Sequence, residues 1–201
     1  MNSNALYSSI AKSYDTILGL SGYNLAVKYF VRRLPLDRSR AIKVLDAGCG
    51  TGIYSLEMLR RFPNATVTAF DLNEEMVSAF REKLAKNKDA SRRVRILTTD
   101  INKPIAEPGE KFDLVITAGV LEYVDLEKAV RNLAAQLVRG GYFLNVSVKD
   151  NLFGKLVSNL YKLELYSSDR KVKAFTESGF ALIKVMQFPP TREAYLFKMA
   201  A

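Results

Sequence analysis

Short apolar runs rich in β-branched residues alternate along the chain with segments of helical periodicity. Five runs predict strands, at residues 41–46, 65–71, 94–97, 112–117 and 142–148. Apolar positions spaced three or four apart predict helices at 51–61, 73–86 and 126–138, and the last of these ends at the glycine pair 140–141. Strands that are apolar throughout and separated by helices indicate a parallel sheet with helices on both faces.

The C-terminal part of the chain follows a different pattern. Residues 151–166 are apolar and aromatic with a helical period, and 168–178 predict a further helix before Gly179. Two more strands, at 180–188 and 193–199, are joined through a pair of prolines. A connection this short favours antiparallel pairing, because a parallel crossover needs about a dozen residues or more.

The N-terminal part predicts two helices around Gly19 and Gly22, ahead of the sheet. No internal repeat, low-complexity segment or linker divides the chain. We therefore predict one domain, 1–201, made of a helical N-terminal cap (1–40), a central core (41–148) and a C-terminal part with helices and a hairpin (149–201).

The composition fits a single globular domain and removes several kinds of chemistry. With 201 residues, 48% of them apolar and 25% charged, the chain has the size and balance of one soluble domain. It contains no histidine, which removes the common zinc sites and a histidine general base, and we expect no metal. Its single cysteine, Cys49, fits a reducing compartment. No apolar run is long enough to span a membrane, and residues 1–15 lack the basic start of a signal peptide, so we expect a cytoplasmic protein.

The net charge of +9 is concentrated in two stretches. Residues 32–43 hold five basic residues and one acidic residue, and residues 81–95 hold seven basic and two acidic ones. Both stretches precede predicted strands, whereas ligands of open α/β sheets bind at the opposite, carboxyl ends of the strands. We therefore favour a solvated surface. A docking surface for an anionic partner, either nucleic acid or an anionic membrane, is the alternative.

The segment VLDAGCGTG, residues 44–52, follows the first sheet strand and opens a helix. Its glycines allow a tight turn and let a ligand approach the backbone closely. The dinucleotide fingerprint needs a third glycine three residues after the second, but Gly52 comes two residues after Gly50. This spacing disfavours a pyrophosphate site, and the absence of a G-K-[ST] sequence excludes a P-loop.

Two aspartates follow the next strands. Asp71 closes the second strand, where a carboxylate can accept hydrogen bonds from both hydroxyls of a ribose. Asp100 follows the third strand, where its carboxylate could accept from an adenine amino group and the Ile101 amide could donate to a ring nitrogen. Because the glycine loop and the two aspartates lie at the carboxyl ends of neighbouring strands, one extended ligand could contact all of them.

These elements, in this order, resemble class I S-adenosylmethionine-dependent methyltransferases. The matching segments are VLDAGCGTG (44–52), AFDLNEEMV (69–77), TTDI (98–101), FDLVITAGVLEYV (112–124) and LVRGGYFLNV (137–146). The resemblance implies a Rossmann-like, mostly parallel α/β sheet of seven strands in the order 3-2-1-4-5-7-6, with strand 7 antiparallel and helices on both faces. It also implies S-adenosylmethionine as cofactor, S-adenosylhomocysteine as product, and residues 41–148 as the cofactor-binding core.

The resemblance also assigns roles to individual residues. Around the methionine part of the cofactor it places Asp46, Gly48, Gly50, Gly52 and the backbone of Ala118. Around the adenosine it places Asp71, Leu72, Met76, Asp100 and Ile101. Tyr14 matches a Tyr-Asp element in the N-terminal cap of many small-molecule members and would close over the cofactor. Structural roles are the alternatives. The glycines could serve only the turn, Asp71 and Asp100 could cap the ends of their strands, and Met76 and Tyr14 could be packing residues.

The catalytic residue remains unassigned. Many members carry Leu-Glu-His after the fourth strand, whereas this chain has Leu121-Glu122-Tyr123. A tyrosine is a poor base at neutral pH, because its reference pKa is about 10. An acceptor that needs little deprotonation, such as an amine, a thiolate, an acidic carbon or a phenol, is therefore easier to accommodate. A packing role for Tyr123 is an equally good interpretation.

The acceptor is predicted to be a small organic or lipid-like molecule, because residues 151–166 and the N-terminal cap are apolar and aromatic. Candidate substrate residues are Tyr14, Tyr123, Phe153 and Tyr161. The same side chains could instead pack over the sheet. Rival functions are a cofactor-binding protein without catalysis, a methyltransferase acting on RNA or at an anionic membrane, and an NAD-dependent oxidoreductase, which the glycine spacing disfavours. The oligomeric state is not predicted.

Overall fold

The computed structural model describes residues 18–19, 22–103, 105, 107 and 109–201. It divides into two units, Met1–Asp100 and Ile101–Ala201. Tyr14 lies outside the described residues, so its assigned role stays a prediction. The single domain also stays a prediction.

The first unit contains helices and three strands in alternation. Its elements are α1 (Tyr23–Val31), β1 (Ile42–Ala47), α2 (Ile53–Arg61), β2 (Ala65–Asp71), α3 (Glu74–Ala85), α4 (Lys88–Arg92) and β3 (Val94–Thr98). Strands β1 and β3 both pair with β2 in parallel. The apolar side of α3, which contains Met76, Val77, Phe80 and Leu84, is buried, as the helical spacing predicts.

The second unit begins with a strand and ends with an antiparallel hairpin. Its elements are β4 (Phe112–Ala118), a 3-10 turn (Leu121–Tyr123), α5 (Leu126–Ala134), β5 (Leu137–Val148), α6 (Leu152–Tyr161), α7 (Ser168–Glu177), β6 (Phe180–Phe188) and β7 (Arg192–Met199). Strand β5 is parallel to β4, and β7 is antiparallel to both β5 and β6. Aromatic rings fill the interior of this unit, and Phe175 stacks on Phe197 with ring centroids 3.9 Å apart.

The seven strands form one sheet in the order β3-β2-β1-β4-β5-β7-β6. This order, with β7 antiparallel and helices flanking the sheet, confirms the predicted fold class. Among the described residues, no helix is long and apolar enough to cross a membrane.

The glycine pair 140–141 does not end a helix, so that part of the prediction was wrong. Helix α5 ends at Ala134, and β5 already begins at Leu137. The pairing of β4 with β5 is irregular here, because Phe112 faces Leu137 whereas Leu114 faces Tyr142. The extra residues of β5 form a bulge that contains both glycines, and Gly140 has a φ of 72°. A side chain at 141 would lie 2.9 Å from a backbone oxygen, so the bulge requires a glycine there.

Helices α6 and α4 also differ from the sequence prediction. Helix α6 ends at Tyr161 rather than at 166, because Lys162 adopts a left-handed backbone with a φ of 53°. Helix α4 was not predicted, since it lies within the basic stretch 81–95 and has little apolar periodicity. The Asn87 side chain starts this helix by accepting a hydrogen bond from the Ala90 amide.

Part of the basic charge of the first unit is used internally. The Arg38 side chain donates to the carbonyl oxygen of Arg61 at 3.0 Å, at the end of α2. The Arg93 guanidinium donates to the carbonyl oxygen of Pro63 at 3.0 Å and pairs with Asp89. These arginines therefore tie loops to helix ends, where cations are favourable.

A buried ion pair connects α7 to β7. Lys171 and Glu193 lie 2.7 Å apart, with 3% and 7% of their side chains exposed. The Lys171 ammonium also donates to the Ser147 hydroxyl at 3.0 Å, and the Tyr195 hydroxyl donates to Glu193 at 3.0 Å. Because both charges are compensated by several partners, the pair can be buried without a large net cost.

We expect Lys171→Met to lower the free energy of unfolding by about 3–5 kcal/mol, because it leaves the Glu193 charge buried without its partner. The double variant Lys171→Met/Glu193→Leu should recover much of that loss. Urea denaturation measures both effects. Arg170→Met on the same helix is the matched control, since its ion pairs with Glu127 and Glu164 are exposed and screened by water, so their loss should change stability much less. Equal losses in the two single variants would contradict the prediction.

Candidate functional site

The end of β2 holds the glycine loop that connects β1 to α2. The amides of Gly48 and Cys49 both donate to the carbonyl oxygen of Phe70 at 2.8 Å. The next amide, that of Gly50, donates to Asp71 Oδ2 at 2.8 Å. Three successive loop amides are therefore fixed by two consecutive residues of β2. The structure brings the predicted residues Gly48, Gly50 and Asp71 together.

The loop glycines have left-handed backbones for different reasons. Gly48, Gly50 and Gly52 have φ values of 72°, 51° and 81°. A Cβ added at Gly50 would meet no atom of the described residues within 4 Å, so within that part of the chain the loop borders open space here. A Cβ added at Gly52 would lie 2.2 Å from the ring of Phe80. Gly50 thus presents bare backbone to open space, while Gly52 is needed for packing against α3.

Asp71 is partly exposed and retains capacity to bind a ligand. Its Oδ1 accepts from the Asn73 amide at 2.9 Å, and its Oδ2 accepts from Gly50. A carboxylate has about four acceptor positions, so further hydrogen bonds can be accepted. Burial raises the pKa of this carboxyl, and the backbone hydrogen bonds oppose that rise.

Asp46 is buried and faces inward. Its Oδ2 accepts from the Ser55 hydroxyl at 2.6 Å and from the Ser55 amide at 3.1 Å. These bonds fix the first turn of α2 against the end of β1. Burial raises the pKa of Asp46 to about 6, and the nearby charge of Asp71 adds to the rise. In the described structure Asp46 supports the loop through its hydrogen bonds to Ser55, and its contact with a cofactor stays a prediction.

Cys49 is also buried, which opposes a role as a nucleophile. Its Sγ lies 3.6 Å from the carbonyl oxygen of Gly50. Burial and the charges of Asp46 and Asp71 raise the pKa of the thiol well above its usual value. The thiol therefore stays protonated and packs as a small apolar group.

The remaining predicted residues of the first unit differ in exposure. Leu72 is exposed directly after β2, whereas the Met76 side chain is buried in α3. Asp100 is partly exposed, two residues beyond the end of β3 at Thr98. The Thr99 amide donates to the carbonyl oxygen of Asp71 at 3.0 Å, which keeps the ends of β2 and β3 together. Contacts of these side chains with an adenosine stay predictions.

The second unit contains the other predicted residues. Ile101 is buried, and Ala118 is partly exposed at the end of β4. The Tyr123 hydroxyl donates to the carbonyl oxygen of Tyr161 at 3.3 Å, so the structure brings these two candidates together. Phe153 lies on an exposed side of α6. The interpretation of residues 151–166 as packing over the sheet does not hold for Phe153.

Two buried polar residues, Glu122 and Lys171, were not predicted. Glu122 Oε1 accepts from the Val148 amide at 3.3 Å, and its Oε2 has no hydrogen-bond partner among the described residues. Both residues line a cavity of about 10 Å³, enough for about one water molecule. Burial raises the pKa of Glu122. The position of Lys171 on the buried side of α7, three residues before Ala174, is the sequence signal that could have revealed it.

The described residues contain no group of three or more cysteine, aspartate or glutamate side chains arranged to hold a metal ion. The chemistry of the first unit is instead that of backbone amides, open glycine backbone and carboxylates. This set of groups suits a ligand with hydroxyl and ammonium donors.

Comparisons with known proteins agree with this geometry. The model of the methyltransferase domain family matches residues 44–141. A malonyl-[acyl-carrier protein] O-methyltransferase of Ilyobacter polytropus is 24% identical over 165 residues, covering 80% of this chain and 59% of that protein. A demethylmenaquinone methyltransferase of Leptospira interrogans is 32% identical over 146 residues, covering 71% of this chain and 58% of that protein. The chain thus spans less than two thirds of the length of these relatives.

A solved structure shows the same fold. The magnesium protoporphyrin IX methyltransferase of Synechocystis PCC 6803 with bound SAM has a TM-score of 0.77 at 16% identity, covering 100% of this chain and 98% of that one. In its family model, its relatives and its strand order, the chain is similar to the class I S-adenosylmethionine-dependent methyltransferases. The family uses S-adenosylmethionine as its cofactor.

The residues present fit this cofactor. Gly50 offers backbone next to open space, and a Cβ there would project into that space. Asp71 retains acceptor positions for hydroxyl groups, and the pKa values of Asp46 and Asp71 are both raised by burial. A buried and a partly exposed carboxylate with little access to water favour a ligand that carries positive charge, as a sulfonium and an ammonium do.

We expect Gly50→Ala to weaken S-adenosylmethionine binding about tenfold or more, because the new methyl group would occupy space that the ligand needs. Isothermal titration measures the affinity. Gly179→Ala is the matched control, since Gly179 also has a positive φ, of 86°, but lies in the turn before β6. Both variants should lose about 1 kcal/mol of stability through backbone strain. Equal affinity in Gly50→Ala and the parent would show that the ligand does not approach this glycine.

The raised pKa of Asp46 predicts a pH dependence of stability. Between its ordinary value of 3.8 and about 6, the folded chain holds a proton that the unfolded chain releases. The free energy of unfolding therefore falls as the pH rises through this window, by about 3 kcal/mol for this group. Asp46→Asn keeps an oxygen acceptor for Ser55 and should remove this part of the slope, as measured by urea denaturation from pH 4 to 7. An unchanged slope would mean that Asp46 is ionised throughout.

Proposed function

We propose that the protein transfers a methyl group from S-adenosylmethionine to a small organic or lipid-like acceptor. The observation that carries this proposal is the bare backbone of Gly50 beside the partly exposed carboxylate of Asp71. The named relatives act on a malonyl group attached to an acyl carrier protein and on demethylmenaquinone, which both fall within this acceptor class. The buried, unpaired Cys49 supports the cytoplasmic location that we propose with it.

The bound cofactor would supply an electrophilic methyl group on a sulfonium, which leaves with cleavage of its carbon–sulfur bond as the acceptor atom donates an electron pair. The chain's own residues would bind the cofactor and the acceptor and orient them for the transfer. Asp71 would accept hydrogen bonds from the ribose hydroxyls, and Asp46 and the loop backbone would hold the methionine part. The family resemblance adds Leu72, Met76 and Asp100 of the first unit.

Tyr123 and Tyr161 are proposed to contact the acceptor. Their hydrogen bond ties the 3-10 turn after β4 to the end of α6, which fixes the position of the Tyr123 ring. Because the chain contains no histidine, proton removal by a neutral imidazole is excluded. We therefore propose an acceptor atom that loses its proton easily or carries none, such as a carboxylate, an amine or an acidic phenol.

A thermal-shift titration with S-adenosylmethionine, S-adenosylhomocysteine and NADH tests the cofactor. A ligand at 100 times its Kd adds about 2.7 kcal/mol, or about 5–10 °C in Tm for a chain of this length. A shift with the two sulfur ligands and none with NADH is expected. No shift with either sulfur ligand at millimolar concentration would overturn the proposal. Release of S-adenosylhomocysteine with a panel of carboxylate, amine and phenol acceptors then separates an enzyme from a protein that only binds the cofactor.

We expect Asp71→Asn to weaken S-adenosylmethionine binding about tenfold or more, because the amide retains one acceptor oxygen for two backbone amides and none for the ribose. Isothermal titration measures the change. Asp125→Asn is the matched control, since Asp125 likewise accepts from a backbone amide, that of Lys128 at 2.8 Å, but caps α5 in the second unit. A loss of affinity in both variants would indicate a general effect on folding rather than a ligand contact.

A further inference from the structure

Helix α6 exposes four large apolar side chains along one side. The exposed fractions of Leu152, Phe153, Leu156 and Leu160 are 74%, 57%, 63% and 67%. At 100° per residue, these positions fall within an arc of about 100°. Single exposed leucines are common on protein surfaces, but four on adjoining positions of one helix form a continuous patch. We call this set the apolar stripe.

The local structure holds the apolar stripe outward. The Asn151 side chain accepts from the Gly154 amide at 2.8 Å and starts the helix. Gly154 is buried, and a Cβ there would lie 1.7 Å from the carbonyl oxygen of Lys149. At the other end, the Tyr123 hydroxyl bonds the Tyr161 carbonyl. Because the side with Gly154 and Tyr161 faces the protein, the helix cannot rotate to bury the stripe.

Basic residues border the apolar stripe. Residues 149–162 contain Lys149, Lys155 and Lys162 and one carboxylate, Asp150, and α6 itself contains no acidic residue. Lys155 is exposed and lies on the helix beside the stripe, and Lys162 is exposed directly after the helix end. The complementary partner is therefore apolar with an anionic border.

We propose that α6 lies in the surface of an anionic phospholipid bilayer, with the apolar stripe among the acyl chains and the lysines at the phosphate headgroups. The apolar stripe lies on a single convex helix. A fluid bilayer can adapt to that shape, whereas a folded protein partner would need a complementary groove. A bilayer could also supply a lipid-like acceptor to the protein, and only this consequence rests on the proposed function. The binding of α6 to the bilayer does not depend on it.

Sedimentation of the full chain with vesicles tests the proposal. We expect binding to vesicles of equal parts phosphatidylcholine and phosphatidylglycerol, weaker binding to phosphatidylcholine alone, and loss of binding at high salt. Leu156→Gln should reduce partitioning about tenfold or more, because a leucine side chain no longer enters the acyl region. Lys155→Gln/Lys162→Gln should reduce partitioning to the anionic vesicles only.

The matched control is Leu25→Gln, since Leu25 lies on helix α1 with an exposed fraction of 62%, close to the 63% of Leu156. Its partitioning should equal that of the parent, and an equal loss in both variants would overturn the proposal. No sedimentation of the parent with anionic vesicles would overturn it as well. A parent dimer that Leu156→Gln dissociates would assign the stripe to a second copy, and vesicle-independent binding of an acidic acyl carrier protein would assign it to that partner.

The same variants separate this inference from the proposed function. Each should keep the parent's thermal shift with S-adenosylmethionine, which also shows that the variant is folded. If the parent binds anionic vesicles but not S-adenosylmethionine, the proposed function fails and the bilayer proposal stands. If the parent binds S-adenosylmethionine but no vesicle, the bilayer proposal fails and the proposed cofactor stands.

Discussion

The hydrogen bonds between the end of β2 and the glycine loop determine the shape of the candidate site. The Phe70 carbonyl and the Asp71 carboxylate together accept from three consecutive loop amides, at 2.8 Å each. Below them, Asp46 fixes the start of α2 through Ser55. The loop is therefore held in its left-handed conformation by the protein itself. A ligand that binds there finds the backbone already ordered, which lowers the entropic cost of binding.

The same arrangement places two carboxylates in a poorly solvated region. Asp46 and Asp71 both have raised pKa values, and burial is the main cause for each. The cost of burying this negative charge is only partly offset by hydrogen bonds from amides and a hydroxyl. A cationic ligand relieves that cost, whereas an anionic ligand such as a pyrophosphate increases it. Glycine spacing and electrostatics thus disfavour a dinucleotide for independent reasons.

Periodicity predicted the strands and motif spacing the glycine loop, because both are local signals, whereas the strand order was implied by the family resemblance. It misplaced the end of α5, since glycines 140–141 serve a bulge that arises only from the pairing of β5 with β4. The burial of Lys171 with Glu193 depends on residues far apart in the chain. The outward direction of the apolar stripe depends on the close approach of Gly154 to Lys149, which no periodicity reveals. For the site, the motif did not reveal that Asp71 accepts from the Gly50 amide or that Asp46 faces inward, because both contacts join residues that lie apart in the chain.

The different duties of Gly50 and Gly52 affect how such a motif would change over evolutionary time. A descendant of this protein that no longer used a cofactor could accept at position 50 a residue that tolerates the left-handed backbone, such as asparagine. Position 52 would remain glycine as long as the ring of Phe80 stayed beside it. Part of the motif would therefore survive the loss of the activity. A glycine at position 52 indicates close packing against the Phe80 ring, whereas a glycine at position 50 indicates that a ligand approaches the loop.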